Sequence, residues 1–193
     1  MQLNLTDEAS GQTILNAVIH DHILDDILND EMYLENSGSP YDPIRLDRFL
    51  SSIDTGQDSG STPVLPVISD TSKAVLTIAV GKENIPLRLH YMELRNLSTN
   101  DLDEAVGCWA EIFDFSTTKN TCNAAQNGHL YIEAICDHSG ACAIQMPEVK
   151  KSTKATSTIV SYGVVFNFTA KGNNKTKKLH GRIDPLARVT SKS

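Results

Sequence analysis

At 193 residues, with 40% apolar and 21% charged residues, the chain has an ordinary globular composition and the length of one domain with an appendage or of two very small domains. Its net charge of −7 argues against a protein whose whole surface grips nucleic acid. The charge is divided unevenly, because residues 1–60 hold twelve acidic and two basic residues, whereas residues 150–193 hold ten basic residues and only Asp184. Such opposed ends predict two surfaces with different partners, or contact between the ends within one chain or between copies; simple solvation of both ends is the competing interpretation.

The sequence pattern predicts neither a targeting segment nor a membrane segment. MQLNLTDEAS lacks the basic start and continuous apolar core of a signal peptide, and the longest apolar runs fall short of the ~20 residues of a membrane helix. We therefore expect a cytoplasmic protein, or a virion component if its source is viral. In a reducing compartment the four cysteines are expected to be free, small buried residues: Cys108, Cys122, Cys136 and Cys142.

The first segment has the periodicity of a helix. In TILNAVIHDHILDDIL the apolar residues recur at spacings of three and four and so form one stripe. Ser10 or Thr13 can cap its start, and the acidic residues fall mainly off the stripe. We predict an acidic amphipathic helical arm within residues 1–50, whose partner-contact face consists of Ile14, Val18, Ile19, Ile23 and Ile27.

A linker and a strand-like region follow. Residues 51–66 concentrate Ser, Gly, Asp, Thr and Pro, which is typical of a linker or long loop. AVLTIAV and IPLRLHYMEL then alternate with period two and predict a hairpin; in its second strand Leu87, Leu89 and Tyr91 lie on one face, and Arg88 and His90 on the other. On this pattern His90 and Glu93, three residues apart, project to opposite faces.

The middle of the chain predicts a helix and a second hairpin. STNDLDEAVGCWAEIFDF predicts an inserted helix over residues 99–114, with Trp109 as a core anchor. HLYIEAICDHSGACAIQM predicts a hairpin that turns at residues 137–140. Cys136 and Cys142 lie opposite each other if its loop holds five residues and out of register if it holds four.

Neither candidate metal cluster has the required spacing. Cys136, His138 and Cys142 lack the second closely spaced pair of ligands that a zinc site favours. In HDHILDD, His20 and His22 point to different sides of a helix, because residues two apart do not share a face. We therefore predict no metal and no cofactor.

The last hairpin carries a cluster of basic residues. TIVSYGVVFNFTA and KTKKLHGRI predict two strands joined at Gly172-Asn173-Asn174, and the second strand places Lys178, His180 and Arg182 on one face. AKGNNKT lacks the glycine spacing of a phosphate-binding loop, and a strand follows it where that loop requires a helix. Two interpretations stay open: lysines that protect a sheet edge, or a surface for an anionic partner composed of Lys171, Lys175, Lys177, Lys178, His180, Arg182 and Arg188.

Together these patterns predict an α+β protein. Its β-rich main domain, residues 67–193, is expected to contain about six antiparallel strands in hairpins, forming a sandwich or a curled sheet with one inserted helix. The helical arm and the linker precede this domain.

The patterns contain no catalytic signature such as Gly-x-Ser-x-Gly or Cys-x-x-Cys, so we expect a protein that is not an enzyme and takes no small-molecule substrate. The predicted function is a non-enzymatic structural or assembly protein, of a kind found among viral or phage matrix and capsid-associated proteins. It would form homo-oligomers or dock on an acidic protein surface. The alternative is an adaptor that binds nucleic acid or an anionic membrane through the basic strand, and a metal-dependent enzyme is the third hypothesis.

Overall fold

The structure, a computed structural model, describes residues 2–4, 12–19, 26–27, 29–30, 38–46, 67–71, 73–80, 87–97, 109–125, 127–152, 156–172 and 175–191. Most of these residues lie in strands that form several sheets, which confirms the predicted β-rich domain. Among them there is no helix both long enough and apolar enough to cross a membrane.

Fifteen strands are described, together with helical residues at 26–27, 29 and 109–112 and a 3-10 turn at Phe115–Thr117. The strands are β1 (Gln2–Asn4), β2 (Gln12–Ile19), β3 (Ile44–Arg45), β4 (Val67–Ser69), β5 (Lys73–Val80), β6 (Leu87–Asn96), β7 (Phe113–Asp114), β8 (Cys122–Ala124), β9 (His129–Glu133), β10 (Ile135–Cys136), β11 (Cys142–Gln145), β12 (Glu148–Val149), β13 (Thr156–Gly172), β14 (Lys175–Ile183) and β15 (Leu186–Ser191).

The largest sheet is built around the long strand β13. Its order is β3-β14-β13-β6-β9-β8, and β15 also pairs with β13 and with β4. One edge of β13 pairs with β6, and the other pairs first with β15 and then with β14. Strands β14 and β15 therefore lie in one line, interrupted at Asp184-Pro185, where the Tyr162 amide donates to the Pro185 carbonyl at 2.9 Å.

A second sheet, in the order β1-β2-β5-β11-β10, contributes to the same hydrophobic core. The core side of the large sheet presents alternate residues of β13, which are all fully buried because period two points them to one face: Val160, Tyr162, Val164, Phe166 and Phe168. Leu76 of β5 and Ile144 of β11 join this cluster from the second sheet. Full burial of one such side chain contributes ~1.5–3 kcal/mol, so this shared core holds the two sheets together.

The core position predicted for Trp109 is confirmed. Its side chain is fully buried, its ring stacks on Phe113 with 6.1 Å between ring centroids, and its Nε1 donates to the Gly128 carbonyl at 3.0 Å. The helix predicted over 99–114 is described only at 109–112, after which Phe113–Asp114 is a strand rather than the end of that helix. Strand β7 pairs with β12, and this pairing ends the helix earlier than the apolar stripe suggests.

The N-terminal helix prediction is wrong for residues 12–19. Gln12–Ile19 forms β2, which pairs in parallel with β5 from Gln12 opposite Lys73 to Ile19 opposite Val80. TILNAVI is rich in β-branched and apolar residues, and pairing with a neighbouring strand outweighs a helical stripe of this length. Of the proposed partner-contact face, Ile14, Val18 and Ile19 lie in this strand. Ile23 lies outside the described residues, and Ile27 is buried in the protein's own core.

The predicted hairpin between β5 and β6 is also wrong. Strand β5 lies between β2 and β11 in the second sheet, whereas β6 lies between β13 and β9 in the large sheet. Alternation of apolar and polar residues shows which side of a strand is apolar. It does not distinguish two strands paired in one sheet from two strands that face each other across a core. The expectation of about six antiparallel strands fails as well, because three pairs are parallel: β2–β5, β3–β14 and β4–β15.

The terminal hairpin is confirmed. Strands β13 and β14 pair antiparallel from Val164 opposite Ile183 to Gly172 opposite Lys175, which leaves residues 173–174 as the connection. Strand β15 (Leu186–Ser191) was not predicted.

Candidate anion-binding site

The basic residues of β14 lie where their alternation predicts. Lys178, His180 and Arg182 pair with Thr169, Asn167 and Val165 of β13. They therefore share the face of the large sheet that points away from the core, which we call the outer face. The other basic residues are placed as follows: Arg188 is exposed on the outer face of β15, Lys177 alternates to the other side of β14, and the side chains of Lys171 and Lys175 lie outside the described residues.

Lys178 lines a cavity of about 570 Å³ at one end of the outer face. We call this cavity the basic pocket and define it by Arg88, Cys136, His138, Cys142, Asn167, Thr169 and Lys178. Arg88 comes from β6 and Lys178 from β14, on the two sides of β13, while Asn167 and Thr169 of β13 lie between them. Neighbouring strands are ~4.8 Å apart, so the backbones that carry the two cations lie about 10 Å apart.

A β-bulge shapes the strand beside this pocket. Tyr91 lies opposite Val165 and Leu89 opposite Phe166, which makes His90 the extra residue of β6. A bulge re-aims the side chains next to it. His90 and Tyr91 therefore both reach the outer face: the Asn167 amide nitrogen donates to Nε2 of His90 at 2.5 Å, and the Tyr91 hydroxyl donates to the Pro40 carbonyl at 3.1 Å. The predicted placement of Tyr91 with Leu87 and Leu89 is wrong for this reason.

The electrostatic environment around His90 is positive. Burial lowers the pKa of His90, and its neighbours His180, Arg88 and Lys178 lower it further. His90 is therefore neutral at pH 7 and suited to accept the Asn167 hydrogen bond. Among the residues that the structure describes, neither Arg88 nor Lys178 forms an ion pair with a carboxylate. The pocket thus holds two cations whose charge is not neutralised by a direct partner.

Asp137, the carboxylate among the described residues that line the pocket, is turned toward its own loop. Oδ1 of Asp137 accepts hydrogen bonds from the Ser139 hydroxyl at 2.6 Å, the Ser139 amide at 2.8 Å and the Ala141 amide at 3.0 Å. These bonds, led by that of the Ser139 hydroxyl, lower the pKa of Asp137 and keep it ionised. This carboxylate therefore stabilises the turn that forms one wall of the pocket.

A disulfide closes the same turn. Cys136 and Cys142 are direct partners in the β10–β11 pair, their Cα atoms lie 4.0 Å apart, and their sulfurs are bonded. The loop holds five residues, 137–141, and the Asp137 amide donates to the Ala141 carbonyl at 2.9 Å. Five residues bring the cysteines into register, so the prediction of free thiols is wrong for this pair. Cys122 is free, and burial raises the pKa of its thiol; Cys108 lies outside the described residues.

Arg182 shares the outer face with Lys178 but has a different environment. Its guanidinium donates to Glu93, and its Nε donates to Asp184 at 2.7 Å. Asp184 also accepts from Arg45 at 2.9 Å, while Glu93 contacts the ring of His129 and accepts from the Tyr131 hydroxyl at 3.4 Å. We call Arg45, Glu93, His129, Arg182 and Asp184 the ion cluster. Because Arg182 has two carboxylate partners, it is not available to a ligand in the way Lys178 is.

The ion cluster depends on a buried acid and on a glycine. The Glu93 side chain is only 7% exposed, although the sequence alternation had placed it on the face opposite His90. The bulge at His90 brings both onto the outer face. Gly163 lies opposite Glu93, and a Cβ atom there would lie 2.4 Å from Nη2 of Arg182 and 2.5 Å from Oδ1 of Asp184. Because residue 163 has no side chain, the Arg182 guanidinium can occupy the space beside it.

Sequence reasoning found Lys178 but missed Arg88, His138, Asn167 and Thr169 as pocket residues. The polar side of IPLRLHYMEL did indicate that Arg88 faces solvent. Its position beside Asn167 depends on the pairing of β6 with β13, two strands far apart in the chain. A single sequence holds no signal for that register.

The described part of the chain contains no group of three or more His, Cys, Asp or Glu side chains that could hold a metal ion. His20 and His22 of the HDHILDD candidate lie outside that part. Comparison of the chain with protein-family models, with curated proteins and with solved structures finds no match.

Proposed function

We propose that this protein is a non-enzymatic binding protein for assembly, and that it docks an acidic segment of a protein partner in the basic pocket. The observation that carries the proposal is the convergence of Arg88 and Lys178, from opposite sides of β13, on one cavity without a carboxylate partner among the described residues. Asn167 and Thr169 lie between them and supply an amide and a hydroxyl, the polar groups that orient a bound carboxylate.

The spacing of the cations favours a protein partner over nucleic acid. A nucleic-acid surface needs a track of cations that follows successive phosphates. Here the row along β14 is interrupted after Lys178 and His180, because Arg182 is neutralised by Glu93 and Asp184. Separate carboxylates of an acidic segment can pair with Arg88 and Lys178 without such a track.

The pocket also has a rigid support. It lies on β6, β13 and β14, whose inner faces belong to the hydrophobic core, and its loop wall is held by the Cys136–Cys142 disulfide. We take the two larger sheets to be the layers of a sandwich, since Leu76 and Leu89 from different sheets belong to one core cluster. A site on paired strands keeps its geometry without a partner, which reduces the ordering cost of binding.

The acidic partner segment is assigned to another protein rather than to this chain's own N-terminal region. That region holds the acidic excess, but β2 pairs with β5, and Ile27 is only 1% exposed within the core. Docking of that region on a second copy would have to disrupt these contacts. Docking of this region on a second copy is therefore a separate outcome, which the light-scattering experiment below detects.

The test measures binding of a fluorescein-labelled short polyglutamate peptide by fluorescence anisotropy at low salt. Lys178→Gln and Arg88→Gln should each weaken binding about tenfold, because a charge-assisted hydrogen bond contributes ~1.5–3 kcal/mol. Lys119→Gln, at an exposed lysine outside the pocket, is the matched control and should bind like the wild type.

Equal affinity in all four proteins, or no binding to the wild type, would contradict the proposal. Tighter binding of a single-stranded RNA oligonucleotide than of polyglutamate, lost in the same variants, would favour the adaptor hypothesis instead. Light scattering at low and high salt reports the remaining case, in which copies associate and Lys178→Gln makes them monomeric.

A further inference from the structure

The other end of the outer face carries a group of exposed apolar side chains. Six large apolar side chains are exposed among the described residues, and four of them lie together: Val67 (45% exposed), Leu97 (44%), Ile159 (36%) and Leu186 (41%). Solitary exposed apolar residues are normal, but a contiguous group on one face marks an interaction surface.

Strand register places these four residues in two adjacent rows. In the first row, Ile159 pairs with Arg188, which pairs with Val67, and the Leu97 amide donates to the Ile159 carbonyl at 2.9 Å. In the second row, Ser161 pairs with Arg95 on one side and with Leu186 on the other. Leu186 and Arg188 are two residues apart on one strand, so they share its face.

Two arginines lie within these rows. Arg95 and Arg188 are both exposed, and no carboxylate among the described residues pairs with either. The two rows contain no acidic residue. We call Val67, Arg95, Leu97, Ile159, Leu186 and Arg188 the apolar–basic patch.

We infer that the apolar–basic patch binds an acidic amphipathic segment of a protein partner. Apolar side chains of that segment cover Leu97, Ile159 and Leu186, while its carboxylates pair with Arg95 and Arg188. This occupant matches both properties of the patch, and burial of apolar area beside charge-assisted hydrogen bonds is the usual composition of a binding hot spot.

Charge decides between this occupant and a second copy of the chain. A two-fold contact places the same patch on both sides of the interface. Arg95 and Arg188 would then face apolar side chains and other arginines, with no carboxylate in the patch to pair with them. Like charges in such a contact oppose association, so a copy of this chain is a poor fit and an acidic segment is a good one.

The patch and the basic pocket can serve one partner. Lys178 and Arg188 lie on the continuous line of β14 and β15, and at ~3.3 Å per residue their separation is about 33 Å. Between them lies the ion cluster, with Arg182 on the same strand as Lys178. The inference rests on the proposed function in assuming an acidic partner, but it adds the requirement that this partner also presents apolar side chains.

The experiment compares two labelled probes by fluorescence anisotropy: the polyglutamate peptide, which is only acidic, and a peptide that copies residues 20–36 of this chain, which is acidic and rich in apolar residues. The amphipathic peptide should bind the wild type more tightly. The double variant Ile159→Thr/Leu186→Thr should bind the amphipathic peptide about tenfold more weakly and bind polyglutamate with unchanged affinity, because only apolar burial is lost. Arg188→Gln should weaken the amphipathic peptide as well, and circular dichroism checks that each variant is folded.

The outcomes separate the two proposals. If both peptides bind equally and the double variant changes neither, the patch inference fails, whereas loss of polyglutamate binding in Lys178→Gln still supports the pocket. If the double variant changes sedimentation of the protein but not peptide binding, the patch is a contact between copies and the acidic partner is excluded from it. If Lys178→Gln leaves polyglutamate binding unchanged, the proposed function fails. If the double variant does not fold, Arg188→Gln alone tests the inference. An Arg188→Gln protein that binds the amphipathic peptide as tightly as the wild type would then contradict it.

Discussion

Lys178 and Arg182 lie on the same face of the same strand, four residues apart, yet one belongs to a region of cations unpaired within the described part of the chain and the other to a region where cations and carboxylates are paired. In the basic pocket, Lys178 and Arg88 converge without a carboxylate partner among the described residues. In the ion cluster, Arg182 is held by Glu93 and Asp184, and Glu93 is almost completely buried. The comparison shows that a run of basic residues in a strand does not measure the charge that a partner can reach, because neighbouring strands decide which cations are neutralised.

The same comparison separates stability from binding. A buried carboxylate is tolerated only when it is paired, since removal of its partner leaves an uncompensated charge in a poorly solvated place. An exposed lysine contributes little to stability, because water solvates it in both the folded and the unfolded chain. The ion cluster should therefore stabilise the fold, whereas the pocket should act on ligands.

The largest effect is expected for Glu93→Gln. Loss of one partner from a buried ion pair costs ~3–5 kcal/mol, and we expect about 3 kcal/mol because Arg182 keeps Asp184. Lys178→Gln should change the free energy of unfolding by less than about 0.5 kcal/mol. Urea denaturation followed by circular dichroism measures both. If Lys178→Gln destabilised the protein as much as Glu93→Gln, the division between the two regions would be wrong.

A smaller loss is expected for Gly163→Ala. The backbone of Gly163 does not adopt a positive φ, so alanine is compatible with the strand and would by itself stabilise the fold by ~0.4–1 kcal/mol. The new Cβ atom would lie within 2.5 Å of Nη2 of Arg182 and Oδ1 of Asp184. Forcing that pair apart costs ~1–3 kcal/mol, so the free energy of unfolding should fall by about 1–2 kcal/mol.

Ser161→Ala is the matched control for Gly163→Ala, because Ser161 also lies on the outer face of β13 but away from the ion cluster. It should change the free energy of unfolding by less than about 0.5 kcal/mol. A Gly163→Ala protein as stable as the wild type would show that the ion cluster rearranges without cost.

A strand could be predicted from the sequence when the residues that form it interact with residues close to them along the chain. The long alternating run of β13 and the returning strand β14 were predictable, because a strong period of two and a Gly-Asn-Asn turn act locally. The strand β2 was not, because its apolar residues fit a helical stripe and only its pairing with β5, about sixty residues away, makes it a strand. The local pattern shows which side of a strand is apolar. Pairing between residues far apart in the chain decides whether a segment is a strand and which strands lie beside it.

The site shows the same limit in finer detail. Lys178 and His180 were assigned correctly to one face, whereas the bulge at His90 reversed the assignment of Tyr91 and Glu93. A single extra residue changes which side chains reach the outer face, and nothing in the alternation of IPLRLHYMEL marks it. The disulfide likewise depends on one residue of loop length.

The smallest effect concerns pH and again contrasts the pocket with its surroundings. Burial lowers the pKa of His90 below its ordinary value of 6.5, and His180 and Lys178 of β14 and Arg88 of β6 add to the shift, while Asn167 of β13 donates to the neutral ring. Below pH 6.5 the unfolded chain therefore binds a proton more readily than the folded chain, and the folded state loses stability as pH falls from 6.5 through the lowered pKa.

His90→Gln removes this protonation site but keeps an acceptor for Asn167. The free energy of unfolding of the variant should therefore fall less than that of the wild type between pH 7 and pH 5. Urea denaturation across this pH range measures the difference, and bound polyglutamate should reduce it in the wild type, because an anion beside His90 favours the protonated ring. Parallel curves for the wild type and His90→Gln, with or without the peptide, would mean that His90 does not sense the charge of the pocket.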